Sequence, residues 1–209
     1  MSAEPRATYR HGDLRAALLI AGLDLARNGG PDAVVLREAT RRVGVSPNAA
    51  YRHFADRAAL LSAVSDAAQG LVADRMEDEL RAAPGAGAAA TIARARLRAV
   101  GTGYLGFAQE QPGLFRTAFF VPGDLSEALA PGKTGRAGRS PYAILSAVLD
   151  ELVEAGVLAP ERRAGAEFLA WSAVHGLATL LLDGPLRGLP DDLIAGTRER
   201  LLDLVDRGL

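Results

Sequence analysis

Trp171, Ser172, His175 and Thr179 are polar or part-polar side chains in a stretch, WSAVHGLATLLLDG, that is otherwise apolar. Trp171, His175 and Thr179 recur every four residues, which places them on one face of a helix with Ser172 beside them. Two kinds of chemistry suit such a face. A hydroxyl and an imidazole can make a nucleophile and its base, but that pair needs an orienting acid, and the nearest candidate is Glu167, about a turn upstream. Alternatively the face lines a cavity and binds a small molecule. A third reading leaves His175 as a core histidine bonded to a neighbouring helix. Only three histidines exist, His11, His53 and His175, in three different elements. There is no HxxxH pair, no glycine-rich phosphate loop, no GxSxG and no cysteine. No catalytic residue, metal site or cofactor is therefore expected.

A second constellation spans residues 36–61. Leu36, Ala39 and Val43 predict a short helix over 36–43, ended by Gly44. Ser46 and Pro47 open another over 47–53, because serine accepts from the free amides of the first turn and proline needs no donor there. Two helices joined by a tight glycine-containing turn form a helix-turn-helix, whose second helix can enter a DNA major groove. Such a helix needs short or polar residues at its exposed N-terminal end. Ser46, Pro47, Asn48 and Ala49 meet that need, and Asn48 can pair an adenine edge. Tyr51, Arg52 and His53 can reach flanking phosphates, which position a protein without reading sequence. Arg37 can take either a guanine or a phosphate. Phe54 is assigned to the core. The plain alternative is a short capped helix between two others, with Tyr51 in the core.

The bulk composition agrees with a separate DNA-facing end. The chain has 209 residues, net charge −1, and 49% hydrophobic residues, enough for a substantial core. Its charge is uneven: residues 1–55 carry +3 and the remainder −4. A basic front on an acidic body suits a DNA reader with a distinct partner domain. No apolar run approaches a membrane span and the first residues do not resemble a signal peptide, so a soluble, cytoplasmic protein is expected.

The elements that must position these residues are all helical. Periodicity predicts a first helix over 12–27, with Leu14, Ala17, Leu18, Ala21 and Leu25 on one face, after an arm-like segment over 1–11. Asp56 caps a long helix to about residue 81, too long for a three-helix module alone and therefore a connector. A linker over 82–87 follows. Further helices are predicted at 91–111, 112–120, 141–155, 160–183 and 190–207. Residues 121–140, with four glycines and two prolines, read as a mobile loop with one helical turn at 125–129. Arg94, Arg96 and Arg98 alternate around their helix and are expected to be mostly solvated. The fold class is all-α with about nine helices: a DNA-binding helix-turn-helix domain at 1–55, and a ligand-binding and dimerisation bundle at 56–209.

Residues 9–64 resemble the DNA-binding domain of TetR-family transcriptional regulators. YRHGDLRAALLIAGLDLARNG, LREATRRVGVS and AYRHFADRAALL carry the likeness, with Gly44, Val45, Ser46, Tyr51, His53, Phe54 and Leu60 at its most specific positions. Trp171, His175 and Gly176 resemble the regulatory domain of the family's Trp-His-Gly subgroup. The sequence departs from the pattern at Val35, where a capping Thr or Ser is usual, at Ala50, usually Leu, and at Arg57, usually Lys. Arg57 keeps the charge for a phosphate contact.

The resemblance implies a homodimer that binds a near-palindromic double-stranded DNA operator and is released by a small-molecule effector, here expected to be largely apolar. Repression is the family's default. Pocket walls are expected from Tyr104, Phe107, Phe115, Phe119, Tyr142, Trp171, His175 and Thr179, although aromatic residues of this kind also serve as plain core. The partner subunit is expected to meet Ala170, Ala173, Leu177 and Leu180, together with Ile194, Thr197, Leu201 and Leu204. Two other readings stand beside this one: a TetR-like helical protein that works through protein–protein contacts, and an enzyme built on Ser172 and His175.

Overall fold

The computed structural model describes residues 11–121 and 128–209. Among these residues it has nine α-helices and no strand: α1 (His11–Gly29), α2 (Leu36–Val43), α3 (Pro47–Ala50), α4 (Arg57–Ala82), α5 (Ala89–Glu110), α6 (Pro112–Phe120), α7 (Pro141–Glu154), α8 (Ala166–Leu182) and α9 (Asp191–Gly208). The all-α class is as expected. The expected arm at 1–11 lies almost wholly outside the described residues.

α1 buries Leu18, Ala21, Leu25 and Ala26, and packs on α2, α4 and α6. α2 is preceded by Val35, whose side chain caps nothing. It ends at Gly44, where φ is 76° and the amide bonds to the carbonyls of Thr40 and Arg41. That left-handed position is open to glycine without strain. Ser46 then caps α3, its Oγ accepting from the Ala49 amide at 3.4 Å, with Pro47 in the first turn. α3 is shorter than the predicted 47–53. Regular helix stops at Ala50, and the amides of His53 and Phe54 both close back on the Ala50 carbonyl. The chain must turn there because Phe54 enters the core, 3% exposed, while Asp56 caps α4 by accepting from the Ala59 amide at 2.8 Å.

α4, 26 residues long, spans about 39 Å at 1.5 Å per residue. It lies against α1 and against α5, α6 and α7, so one rigid element touches both ends of the molecule. Gly103 allows α5 to approach closely: a Cβ there would sit 2.7 Å from the Met76 Cα. The three arginines of α5 are not simply solvated. Arg94 pairs with Asp206 at 2.7 Å, Arg96 with Glu151 at 2.5 Å, and Arg98 with Asp203 at 2.6 Å and with Glu199. Their alternation serves two neighbours, α9 for Arg94 and Arg98, α7 for Arg96.

Two further expectations change. α8 begins at Ala166 rather than 160, because Pro160–Arg162 forms a 3-10 turn and Gly165, at φ 78°, breaks the chain direction first. α8 leaves Phe168, Leu169 and Leu180 46%, 64% and 42% exposed. The described part of the expected loop, residues 128–140, is ordered along α4. Lys133 reaches Asp66 at 3.9 Å, Arg136 reaches Asp74 and Asp78 at 3.3 Å each, and Arg139 reaches Glu77 at 2.6 Å. Gly70 and Gly135 permit the contact, since a Cβ on Gly70 would lie 2.7 Å from the Thr134 carbonyl. The helical turn expected at 125–129 lies mostly outside the described residues.

Candidate nucleic-acid interface and cavity

At the N-terminal end, the predicted reading residues share one outward surface. Arg37, Ser46, Pro47, Asn48, Tyr51 and Arg52 are exposed, and Ala49 and His53 half-buried. Ala50 is fully buried beneath them and Phe54 nearly so. The core reading of Tyr51 is excluded, because its side chain is 55% exposed. The charge on this surface is selective. Glu38 holds Arg41 at 2.7 Å and Arg42 at 3.4 Å. Hydrogen bonding from Arg41, with help from Arg42, pulls the Glu38 carboxyl down to about 2. Arg37 and Arg52 are the cations of this surface with no ion pair among the described residues. Arg57, expected on a phosphate, is engaged otherwise: its guanidinium donates to the carbonyls of Val34 at 2.8 Å and Pro31 at 2.9 Å. It ties the start of α4 to the turn before α2, a job that sequence spacing could not reveal.

In the C-terminal part, α4, α5, α6, α7, α8 and α9 surround two neighbouring spaces that share part of their lining. The inner one, about 80 Å³, is walled mainly by aliphatic side chains such as Leu97, Val100, Leu145, Val174 and Leu202. The outer one, about 480 Å³ and open to solvent, adds Ser172, His175, Lys133 and Val121. Gln69, Phe119, Ala128 and Trp171 line both. Trp171 thus stands at the junction.

A polar relay crosses that junction. Trp171 Nε1 donates to the Tyr104 hydroxyl at 3.0 Å, and the same hydroxyl lies 2.8 Å from His175 Nδ1. The hydroxyl is buried and, among the described residues, His175 Nδ1 is the one acceptor within reach of its proton, which assigns Nδ1 as unprotonated. Burial lowers the His175 pKa, favouring the neutral ring. Burial also holds the Tyr104 hydroxyl protonated, well above the usual phenol range. Phe115 and Phe119 pack around His175 with centroids 5.8 and 5.6 Å away. Glu167 takes no part. It accepts from Ser146 Oγ at 2.9 Å and from Arg163 at 2.8 Å, a separate knot between α7 and α8. Ser172, His175 and Glu167 do not form a catalytic relay, and among the described residues no cluster of His, Asp and Glu suits a metal.

Of the expected pocket walls, Tyr104, Phe119, Tyr142, Trp171 and His175 line the cavities. Three residues of that expectation do not. Phe107 is packed in the core, Phe115 is a fully buried second layer behind the rings, and the Thr179 hydroxyl turns back to donate to the His175 carbonyl at 2.9 Å. The apolar face expected to meet a partner is also rotated. Ala170 lines the inner cavity and Leu177 is core, while Ala173 is half-buried and Leu180 exposed. The outward face runs instead through Leu169, Ala173, Gly176 and Leu180. On α9, Ile194 and Leu201 pack on the core, Thr197 is half-buried, and Leu193 and Leu204 point out at 51% and 64% exposure. Residues missed by sequence reasoning are Gln69, Leu145, Val174 and Lys133. Nothing local marks them; only the packing of four different elements brings them to these two spaces.

The chain matches known proteins across nearly its whole length. Residues 18–64 match the family model for bacterial regulatory proteins of the tetR family, and residues 97–205 match that for the tetracyclin repressor-like C-terminal domain. No curated protein sequence matches. Among solved structures, a protein of unknown function from Rhodococcus sp. RHA1 is 28% identical, covers 98% of this chain and 99% of its own, and gives a TM-score of 0.68. A TetR family transcription regulator from Marinobacter aquaeolei VT8 shares the fold at 20% identity and TM-score 0.59, over 91% of this chain and 94% of that one. So does the regulator FadR of Bacillus subtilis, solved with stearoyl-CoA, at 14% identity and TM-score 0.61 over 93% and 98%. A helix-turn-helix with an outward reading face, joined by one long helix to a bundle with a cavity, and matched by both family models, makes the conclusion direct: this chain belongs to the TetR family of transcriptional regulators.

Proposed function

We propose that the protein is a dimeric repressor whose residues 1–55 bind DNA and whose residues 56–209 dimerise and take up a small, largely apolar effector. The exposed surface of Asn48, Tyr51, Arg52 and Arg37 over a buried Ala50 and Phe54 carries the DNA assignment. One short helix contacts too few bases for a specific site, so two copies read successive major grooves, roughly 34–36 Å apart if the half-sites are one turn apart. Ser46, Pro47, Asn48 and Ala49 face the bases, while Arg37, Arg52, Tyr51 and His53 hold phosphates. The apolar outward face of α8 and α9 supplies the dimer contact. An effector releases DNA by binding the DNA-incompetent arrangement more tightly, with α4 between cavity and reading head. The work is binding rather than catalysis: Glu167, the acid nearest in sequence to Ser172 and His175, is engaged by Ser146 and Arg163 instead. No helix among the described residues is long and apolar enough to cross a membrane, which suits a cytoplasmic protein.

A mobility-shift titration on the protein's own promoter region tests this reading. Sequence-selective binding that weakens steeply with salt is expected. Absence of a shift at low salt would overturn it and favour a helical protein acting through protein contacts.

A further inference from the structure

We propose that the cavity selects an uncharged amphiphile: a hydrocarbon part in the inner space and a hydrogen-bonding but non-ionic head, such as an alcohol, ketone or ester, at the outer mouth. The inference deepens the regulator reading and rests on it for its biological meaning. It begins with charge. Among the described residues, each ionic side chain on the cavity walls already has a counter-charge from the protein. Lys133 lies 3.9 Å from Asp66, and Arg98 is held by Asp203 at 2.6 Å and by Glu199. His175 takes the Tyr104 proton on Nδ1, and burial favours its neutral form. Among the described residues no buried side-chain nitrogen or oxygen is left without a partner. An ionised ligand head would enter a site whose charges are matched, and would either stay uncompensated or break a pair, both costly away from water.

The shape adds the second half. The inner space has room for several non-hydrogen atoms and is walled by aliphatic groups, so it favours hydrocarbon over water. The outer space offers Ser172 and Gln69, neutral donors and acceptors. Trp171 borders both spaces, so a molecule spanning them passes over its ring.

Trp171 is the one tryptophan of the chain, so its fluorescence reports this junction alone. The full-length protein is titrated with 1-octanol, sodium octanoate and octylammonium chloride, three probes of equal chain and different head charge. Octanol is expected to give a saturable blue shift, with octanoate and octylammonium at least about tenfold weaker. Ala170→Leu and Leu145→Phe narrow the inner space from two different helices, and each is expected to weaken octanol by at least about tenfold in protein that still melts cooperatively. The proposal is overturned if a charged probe binds as tightly as octanol, if none shifts Trp171, or if both narrowed variants bind octanol like the parent. DNA binding is read separately by mobility shift without any probe, so failure here leaves the regulator reading standing, and failure there leaves the ligand class intact.

Discussion

At the scale of single residues, the Tyr104 hydroxyl decides the state of its two neighbours. It accepts from Trp171 and donates to His175. Tyr104→Phe deletes both bonds while keeping the ring, leaving a tryptophan donor and an imidazole acceptor without that partner. A loss of about 1–3 kcal/mol in unfolding free energy is expected by chemical denaturation, the usual cost of orphaned polar groups. His175 carries the pH dependence. Its folded pKa is lowered by burial, so the unfolded chain binds the proton first. Stability attached to His175 is complete above the unfolded value near 6.5 and is lost as pH falls below it towards the folded value. The thermal midpoint should therefore fall from pH 7 to pH 5, and His175→Phe should flatten that part of the profile. An equally steep profile in the variant would show that another group controls it.

At the scale of elements, two junctions connect the cavity walls to the DNA-facing helices. α6 carries Phe119 at the cavity and Gly113 at its other end, where a Cβ would sit 2.3 Å from the Ala26 carbonyl and 2.6 Å from that of Arg27. Gly113→Ala must push α6 away from the end of α1. A destabilisation of about 1–3 kcal/mol is expected, as for other overpacked sites, with an altered operator affinity measured alongside the melt. The second junction is the segment over 128–140, which borders the cavity at Ala128 and Lys133 and zips onto α4 through Arg136 and Arg139. Asp74 and Glu77 are its anchors, and Arg136 also donates its backbone amide to Asp74 at 2.7 Å. Asp74→Asn combined with Glu77→Gln should speed tryptic cleavage after Lys133, Arg136 and Arg139, checked by mass spectrometry of early fragments. These junctions mark where sequence reading stopped. The helix-turn-helix was legible because its devices are local: a glycine at φ 76°, a serine cap three residues from its amide, a proline in the first turn. The zip along α4 joins residues about 60 positions apart, and no spacing rule announces it. The faces of α8 were half legible for a related reason. Periodicity separates polar from apolar, but α8 is apolar on several sides. Only the packing of α5 and α9 sends Ala170 and Leu177 inward and leaves Leu169 and Leu180 out.

At the scale of the molecule, that leftover apolar face is what ties the reading head to its function. Leu169 and Leu180 on α8, with Leu193 and Leu204 on adjacent α9, form an exposed apolar surface on the single chain. Large patches of this kind mark association sites, and a two-fold axis through two helices buries such a face against its own copy. The consequence reaches DNA. In the proposed dimer, two linked heads would bind an operator with the second contact made intramolecularly, so avidity would exceed a single head by roughly 10²–10⁴-fold. Replacing Leu180 and Leu204 together by Arg should therefore give a monomer by light scattering. The monomer's own melt should stay cooperative, because both side chains are exposed and support little of the chain's core. Operator affinity should drop by at least about 100-fold, while its residual binding keeps a shallower salt dependence, since only one head's phosphate contacts are left. A variant that remains dimeric would place the two-fold contact on another face, and a monomer that still binds the operator at full affinity would remove the need for a second copy.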